Sequence, residues 1–576
     1  MSVSNSRFLR VRLLPALLVA GLAFGTVHST AVFADASRPA SSSVIVEGDI
    51  ARQIDTAFTA TFKADEPGAA IIVVKDGKTV LRKGYGLADT EKKVPIQPGD
   101  VFRLGSMTKQ FTAVAILMLA EEGKLSVQDE ITRFVPDYPT QGKKITVEHL
   151  LTHTSGIKSY TNMPGFRTIV NKDMKPLEVV DFFKNEPMEF APGERYAYNN
   201  SGYFLLGIII EKVSGMSYAD FVAKRIFEPL GMTHTAFEGF ERNGVKRIAG
   251  YGRGRAGFEP ARPMSMTQPY AAGSLVSTVD DLARWDAAIT AGKLLKPASW
   301  KRAFTPYVLN NGKPTDYGYG WQIRKFQGEE LIEHGGAING FHTQGMRLPA
   351  SRVYVAVLTN RLGARPASEF HAERAAAIAL GKPLMEPKAI KLTTAALDAF
   401  EGTYRIDEKE NRIIVRDGEQ LILQRGGGRV PMASYAENEF FLPDYSHTRY
   451  RFVKGDDGKV KHLVVLDTSG KEEINVRTGD KPAEKKSIIL AQKDFDVLVG
   501  EYQLAPNFIL TISRDGDRYI SQATNQGPIE IYAESDTKFF VKVINAELTF
   551  QKDAEGKATG LVLKQNGREM PARKIK

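Results

Sequence analysis

A chain of 576 residues, 43% hydrophobic and 25% charged, is too long for one domain and has the apolar material for several real cores. Its formal charge is +10 at pH 7, but lysine and arginine are scattered among the acids rather than gathered in blocks; this is a solvated surface and excludes a nucleic-acid footprint. With no cysteine, disulfides, thiol catalysis, cysteine-held zinc and lipid attachment through cysteine are excluded as well.

Residues 1–34 read as a secretory signal. Arg7, Arg10 and Arg12 give a positive start, the run 13–24 is apolar but short for a bilayer span, and Val32-Phe33-Ala34 offers small residues for cleavage. The mature chain is expected to start near Asp35, which takes the formal charge from +10 to +7. An uncleaved N-terminal anchor is the competing reading. No later stretch is long enough to cross a bilayer, so an exported protein without a stable membrane span, periplasmic or secreted, is expected.

From 44 to 382 the pattern is mixed α and β. An amphipathic helix carries Ile50, Ile54 and Phe58. A hairpin follows, with strands at 69–74 and 79–83 around the Asp76-Gly77 turn. Helical segments alternate with loops up to about Ala291. Strands return at 331–334, 344–348 and 353–358, and a helix at 367–380 closes the unit. Strands at both ends with helices between predict one sheet built from both termini of the domain. Residues 383–394, with Pro383, Pro387, Lys388 and Lys391, read as a linker.

Beyond it the chain becomes short alternating strands, and it repeats. Leu397-Asp398, Gly402 and Tyr404 match Phe495-Asp496, Gly500 and Tyr502 at an offset of 98 residues. Arg416-Asp417-Gly418 matches Arg514-Asp515-Gly516, and Gly458-Lys459 with Leu463 matches Gly556-Lys557 with Leu561, at the same offset. Two tandem antiparallel β-barrel domains, 395–482 and 490–576, are expected.

The strongest chemical feature is Gly105-Ser106-Met107-Thr108-Lys109, opening an apolar helix that ends at Gly123. Lys109 stands one turn beyond Ser106 on the same face. A serine hydroxyl needs a base, and a lysine drawn into an apolar helix loses hydration, favours its neutral form and can accept the proton. Ser-x-x-Lys alone is weak, because Ser155 to Lys158 and Ser535 to Lys538 also fit and a serine there also caps helices. Two further motifs follow in order. Tyr198-Asn199-Asn200 precedes an apolar helix at 203–213, placing a tyrosine for proton transfer and Asn200 for a substrate amide; a packed aromatic is the alternative. His334-Gly335-Gly336-Ala337 follows a strand-like run, with glycines that admit a close backbone approach and an Ala337 N–H that can pair with that of Ser106 as an oxyanion hole. His149 and His153 have a zinc-like spacing but lack the acid of His-Glu-x-x-His, and Gly-x-Ser-x-Gly does not occur. No metal or cofactor is called for.

Taken in this order, the three motifs resemble the penicillin-recognising serine hydrolases: class C β-lactamases, DD-carboxypeptidases, D-aminopeptidases and related bacterial esterases. Leu151-Thr152-His153-Thr154-Ser155-Gly156, Gly202-Tyr203, Gly273-Ser274 and Tyr319-Gly320-Trp321 strengthen the likeness, which spans about 45–380. The resemblance implies an α/β sandwich with an antiparallel sheet beside a helical region. It also implies an acyl-enzyme on Ser106, proton work by Lys109 and Tyr198, and a pocket completed by Asn200 and His334. One departure narrows it: His334-Gly335-Gly336 stands where β-lactamases usually carry Lys-Thr-Gly. A largely neutral histidine binds a carboxylate less strongly, which favours small amides, short D-peptides or esters over β-lactams. The two β-barrels also look like the D-aminopeptidase layout, where they restrict the cleft or serve as passive packing modules. The expected partner is a small-molecule or short-peptide substrate, with room for a homodimer; a non-catalytic binder of peptidoglycan fragments or penicillin is the alternative of another class.

Overall fold

The computed structural model describes residues 43–576 except 164, 240–245, 255–256, 409, 426–427, 481–486, 506–507, 525–526, 542–545 and 566–567. The expected secretory signal lies outside the described residues. Among those described, no helix is long and apolar enough to cross a membrane.

The first domain is organised by a seven-stranded antiparallel sheet. Ile45–Val46 (β1), Ala69–Lys75 (β2) and Lys78–Tyr85 (β3) come from its start. Gln322–Phe326 (β4), Glu329–Ile338 (β5), Phe341–Leu348 (β6) and Val353–Thr359 (β7) come from its end. The order β1-β3-β2-β7-β6-β5-β4 joins the two ends through the β2–β7 pair, as expected. The longest helices among the described residues flank the sheet or fill the helical region: Gly48–Thr61 (α1), Thr108–Glu121 (α2), Asn200–Ser214 (α3), Val279–Thr290 (α4) and Ser368–Ala379 (α5).

Period-2 alternation sends the two faces of β2 to different cores. Ala69, Ile71 and Val73 pack with Ile54 and Phe58 of α1 and Ala372 and Ala376 of α5. Ala70 and Ile72 face the larger core that holds α2, α3 and α4. Both faces are covered, so the strand reads as one apolar run. Residues 108–119 of α2 are all buried, which marks it as the interior helix of the domain.

Two corrections concern the sheet. The sequence reading omits β4, whose Gln322-Ile323-Arg324-Lys325-Phe326 alternates with polar residues. It also ends a strand at His334, whereas β5 runs on through Gly335, Gly336 and Ala337 to Ile338. The glycines are strand residues because neighbours press on them. A Cβ on Gly336 would lie 1.9 Å from Leu104 O and 2.6 Å from Thr343 Oγ1.

The tail forms two closed eight-stranded barrels, with strands from Gly402–Arg405 to Glu472–Gly479 and from Gly500–Ala505 to Arg568–Lys574. The repeated residues do repeated jobs. The Tyr404 hydroxyl donates to Phe400 O at 2.7 Å, and that of Tyr502 to Leu498 O at 2.6 Å. Arg416 pairs with Asp398 at 2.5 Å, and Arg514 with Asp496 at 3.9 Å. The first barrel also touches the hydrolase domain. Thr468 and Ser469 accept the N–H groups of Gln327 and Gly328 at the β4–β5 turn, at 2.6 and 3.0 Å, and His447 Nε2 meets Phe370 O at 3.0 Å.

Candidate active site

Ser106 lies in a short 3-10 turn, Gly105–Met107, that runs directly into α2, so it precedes the α-helix rather than sitting inside it. Gly105 holds a left-handed φ of +54°, and a Cβ there would come 3.1 Å from Ala337 N. The turn is therefore pressed against β5. Its preceding residue is tied down from two sides: Leu104 N donates to Leu275 O at 2.8 Å, and Thr343 Oγ1 donates to Leu104 O at 2.8 Å.

Lys109 is fully buried. Its Nζ has three neighbours: Ser106 Oγ at 3.1 Å, Asn200 Oδ1 at 2.9 Å and Ala272 O at 2.9 Å. Burial alone drives its pKa well below that of an ordinary lysine. In the neutral form that burial favours, the amine gives its two hydrogens to Asn200 Oδ1 and Ala272 O, which can only accept, and turns its lone pair to the Ser106 hydroxyl.

Asn200 opens α3. It accepts from Lys109, donates Nδ2 to Thr161 Oγ1 at 3.1 Å, and its backbone N–H donates to Ser159 Oγ at 3.1 Å. The expectation that it holds a substrate amide therefore meets a residue already engaged in orienting Lys109.

Tyr198 stands over the same centre, with Lys109 Nζ 4.8 Å from its ring centroid. It keeps 37% of its surface exposed, the open part being consistent with a cleft wall. Desolvation at its inner side raises the phenol pKa, and a hydrogen bond with Ser106 works against that rise.

His334 is reached differently from the expectation. Its ring is buried, and both nitrogens are occupied. Gly335 O can only accept, so Nδ1 donates to it at 2.6 Å, and Nε2 accepts the Tyr317 hydroxyl at 2.9 Å. Burial lowers its pKa to about 3. His334 is thus neutral at pH 7, with its ring centroid 6.2 Å from that of Tyr198.

The structure brings Ser106, Lys109, Tyr198, Asn200, His334, Gly335, Gly336 and Ala337 to one place, with Ala337 exposed beside the Ser106 turn. Two contributors, Ala272 and Tyr317, escape sequence reasoning, and a third, His153, is visible there only as a family motif and a zinc-like spacing. Ala272 supplies only a backbone carbonyl, which no side-chain motif reports. Tyr317 holds His334, and the nearby Gly320 marks that segment: a Cβ there would meet Lys109 O at 2.8 Å. His153, at φ +59°, packs its ring against Tyr198 at 4.3 Å and Tyr317 at 4.6 Å. Its Nδ1 accepts Asn199 N–H at 3.1 Å, while His149 Nδ1 accepts Thr146 N–H at 3.1 Å in a capping box. The zinc-like spacing serves caps and packing.

Residues 51–380 match the family model described as Beta-lactamase, and residues 484–574 match one described as Domain of unknown function (DUF3471). Penicillin-binding protein 4* of Bacillus subtilis (strain 168) is 29% identical over 455 residues, covering 74% of this chain and 98% of that protein. Among solved structures, the octameric penicillin-binding protein homologue from Pyrococcus abyssi aligns with a TM-score of 0.53 at 29% identity, over 74% of this chain and 98% of that one. The D-amino acid amidase from Ochrobactrum anthropi SV3, solved with D-phenylalanine, aligns with a TM-score of 0.51 at 25% identity, over 58% of this chain and 99% of that one. The family match covers more than half of the chain: the protein belongs to the beta-lactamase family and is a serine hydrolase.

Proposed function

We propose that the protein hydrolyses small amides carrying a D-residue, or short D-peptides, through an acyl-enzyme on Ser106. The observation that carries this reading is the buried Lys109, whose two acceptor-only neighbours leave its lone pair for the Ser106 hydroxyl. Ser106 Oγ attacks the carbonyl carbon while Lys109 Nζ takes the hydroxyl proton. Charge developing on the carbonyl oxygen is met by the N–H groups of Ser106 and Ala337. The C–N bond then breaks, and the leaving amine takes a proton delivered by way of Tyr198. Water attacks the ester in the reverse sense, and Lys109 returns the proton to Ser106.

The neutral His334 supports the substrate class. It supplies no charge for a β-lactam or peptide carboxylate, so β-lactamase and DD-carboxypeptidase activity are expected to be minor. The likeness to the D-amino acid amidase points the same way. Export through the N-terminal signal would place the enzyme where peptidoglycan-derived D-peptides occur. A panel of D-amino-acid amides, L-amino-acid amides, short-chain esters, D-Ala-D-Ala peptides and a chromogenic cephalosporin tests the reading. D-amides are expected to give the highest kcat/KM. Faster turnover of esters would reassign the protein as a carboxylesterase, and no turnover of any member, with Ser106 unmodified, would favour a non-catalytic binder.

A further inference from the structure

Tyr198 is open to the cleft on one side, so its position is set from behind. His153 does this at three points. Its carbonyl accepts the Ala197 N–H at 2.9 Å, and its Nδ1 accepts the Asn199 N–H at 3.1 Å. The N–H groups of the residues before and after Tyr198 thus both end on one residue. The His153 ring also lies against the Tyr198 ring, with centroids 4.3 Å apart. Asn199 anchors the far end of this clamp: its Oδ1 accepts the Gly202 N–H at 2.8 Å and caps α3, the helix that Asn200 opens.

Two features of His153 work against stability. Its φ of +59° is left-handed, a strained region for a residue with a side chain. Its ring is 1% exposed, and because Nδ1 accepts, the proton of the neutral ring sits on Nε2. Nε2 is buried with no hydrogen-bond partner among the described residues, which is unfavourable for a donor. A phenyl ring would pack against Tyr198, Tyr203 and Tyr317 without that penalty. What a phenyl ring cannot supply is the Nδ1 acceptor. The bond to the Asn199 N–H is therefore what the imidazole adds beyond packing.

We propose that His153 is the positioning residue for Tyr198: it clamps the chain on both sides of the tyrosine, backs its ring, and so holds the phenol where the leaving group takes its proton. The inference rests on the acyl-enzyme reading above. In that reaction the proton that Lys109 takes from Ser106 reaches the leaving nitrogen through the Tyr198 hydroxyl, while the electron pair of the breaking C–N bond returns to nitrogen. An amine cannot leave without that proton. Fluoride can, so a fluorophosphonate phosphorylates Ser106 without the step that Tyr198 serves. Displacing Tyr198 therefore slows the two reactions unequally, whereas a general disturbance of the site slows both alike.

The test compares, in the full-length protein, kcat/KM on D-phenylalanine amide with the rate of fluorophosphonate labelling at Ser106. His153→Phe keeps a ring and removes the acceptor; its loss on the amide should exceed its loss in labelling by at least about tenfold. His153→Asn keeps an acceptor near the Nδ1 position and tolerates the left-handed φ, but leaves space beside Tyr198. Its selective loss should be about threefold, which shows the effect even where the Phe variant fails to fold and counts as rescue where it folds. A wild-type protein that labels at Ser106 but leaves the amide intact contradicts the substrate class alone; ethyl butyrate, whose alkoxide also needs a proton to leave, then takes the amide's place with the same expected ratios. The proposal is overturned if a folded variant loses both reactions in equal proportion, if neither variant loses turnover, or if His153→Asn is as impaired as a folded His153→Phe.

Discussion

Lowering the pH tests the buried neutral His334. Its folded pKa is held near 3, mainly by burial, against 6.5 for an ordinary histidine. At pH 7 neither the folded nor the unfolded chain holds a proton there. Below about 6.5 the unfolded chain takes the proton first, so stability falls with decreasing pH until the folded pKa is reached. Between pH 7 and pH 5 the loss from this one residue is about 2 kcal/mol, from roughly 1.4 kcal/mol per unit over the 1.5 units below the unfolded value. His334→Gln removes that loss while leaving all other acid-sensitive groups in place. The three tryptophans, Trp285, Trp300 and Trp321, all lie in the hydrolase domain, so urea unfolding followed by tryptophan fluorescence reports this domain without the barrels. The comparison is the drop in stability from pH 7 to pH 5 in each protein, so any constant cost of the substitution cancels. The wild-type drop should exceed the variant drop by about 2 kcal/mol. Equal drops would refute a buried, uncharged His334.

Three other outcomes are expected. Gly336→Ala forces a Cβ into Leu104 O and should cost about 1–3 kcal/mol in the same unfolding assay while slowing probe labelling at Ser106, because the turn behind Ser106 must shift; wild-type values would show that the close approach is dispensable. Asn200→Asp places a carboxylate on Lys109 and stabilises its ammonium form, so labelling of Ser106 at pH 7 should fall at least about tenfold and recover as pH rises; a pH-independent rate would contradict a lysine base. Arg324 is held between Glu333 and Glu373, with the Thr468 hydroxyl of the first barrel at 3.4 Å. Burial raises the pKa of both carboxyl groups. Arg324→Met should cost about 3–5 kcal/mol at pH 7, shrinking toward pH 5 as the uncompensated carboxylates gain protons; a deficit that does not change with pH would show that they are not charged.

The sequence carried the anchors of this site because each is a local pattern. Ser106 and Lys109 are joined by one turn of chain, and the apolar run behind them could only be an interior helix. The barrels were legible because the same tyrosines, glycines and arginines perform the same bonds in both copies. What stayed hidden depends on contacts between distant segments. The glycines of β5 looked like a strand end, since nothing local says that Leu104 and Thr343 press on that face. β4 is a polar edge strand, and its pattern is too weak to stand out. His334 stands in a local motif, but its bond to Tyr317 forms only once the segment before β4 folds back beside β5. Ala272 acts through a carbonyl that every residue possesses.

If Lys109 makes Ser106 a nucleophile, treatment with a fluorophosphonate followed by peptide mapping by mass spectrometry gives one adduct, on Ser106. That adduct is lost in Ser106→Ala and formed at least about a hundredfold more slowly in Lys109→Met, as expected when one member of a catalytic unit is removed. An adduct on another residue, or a Lys109→Met protein labelled at the wild-type rate, would contradict it.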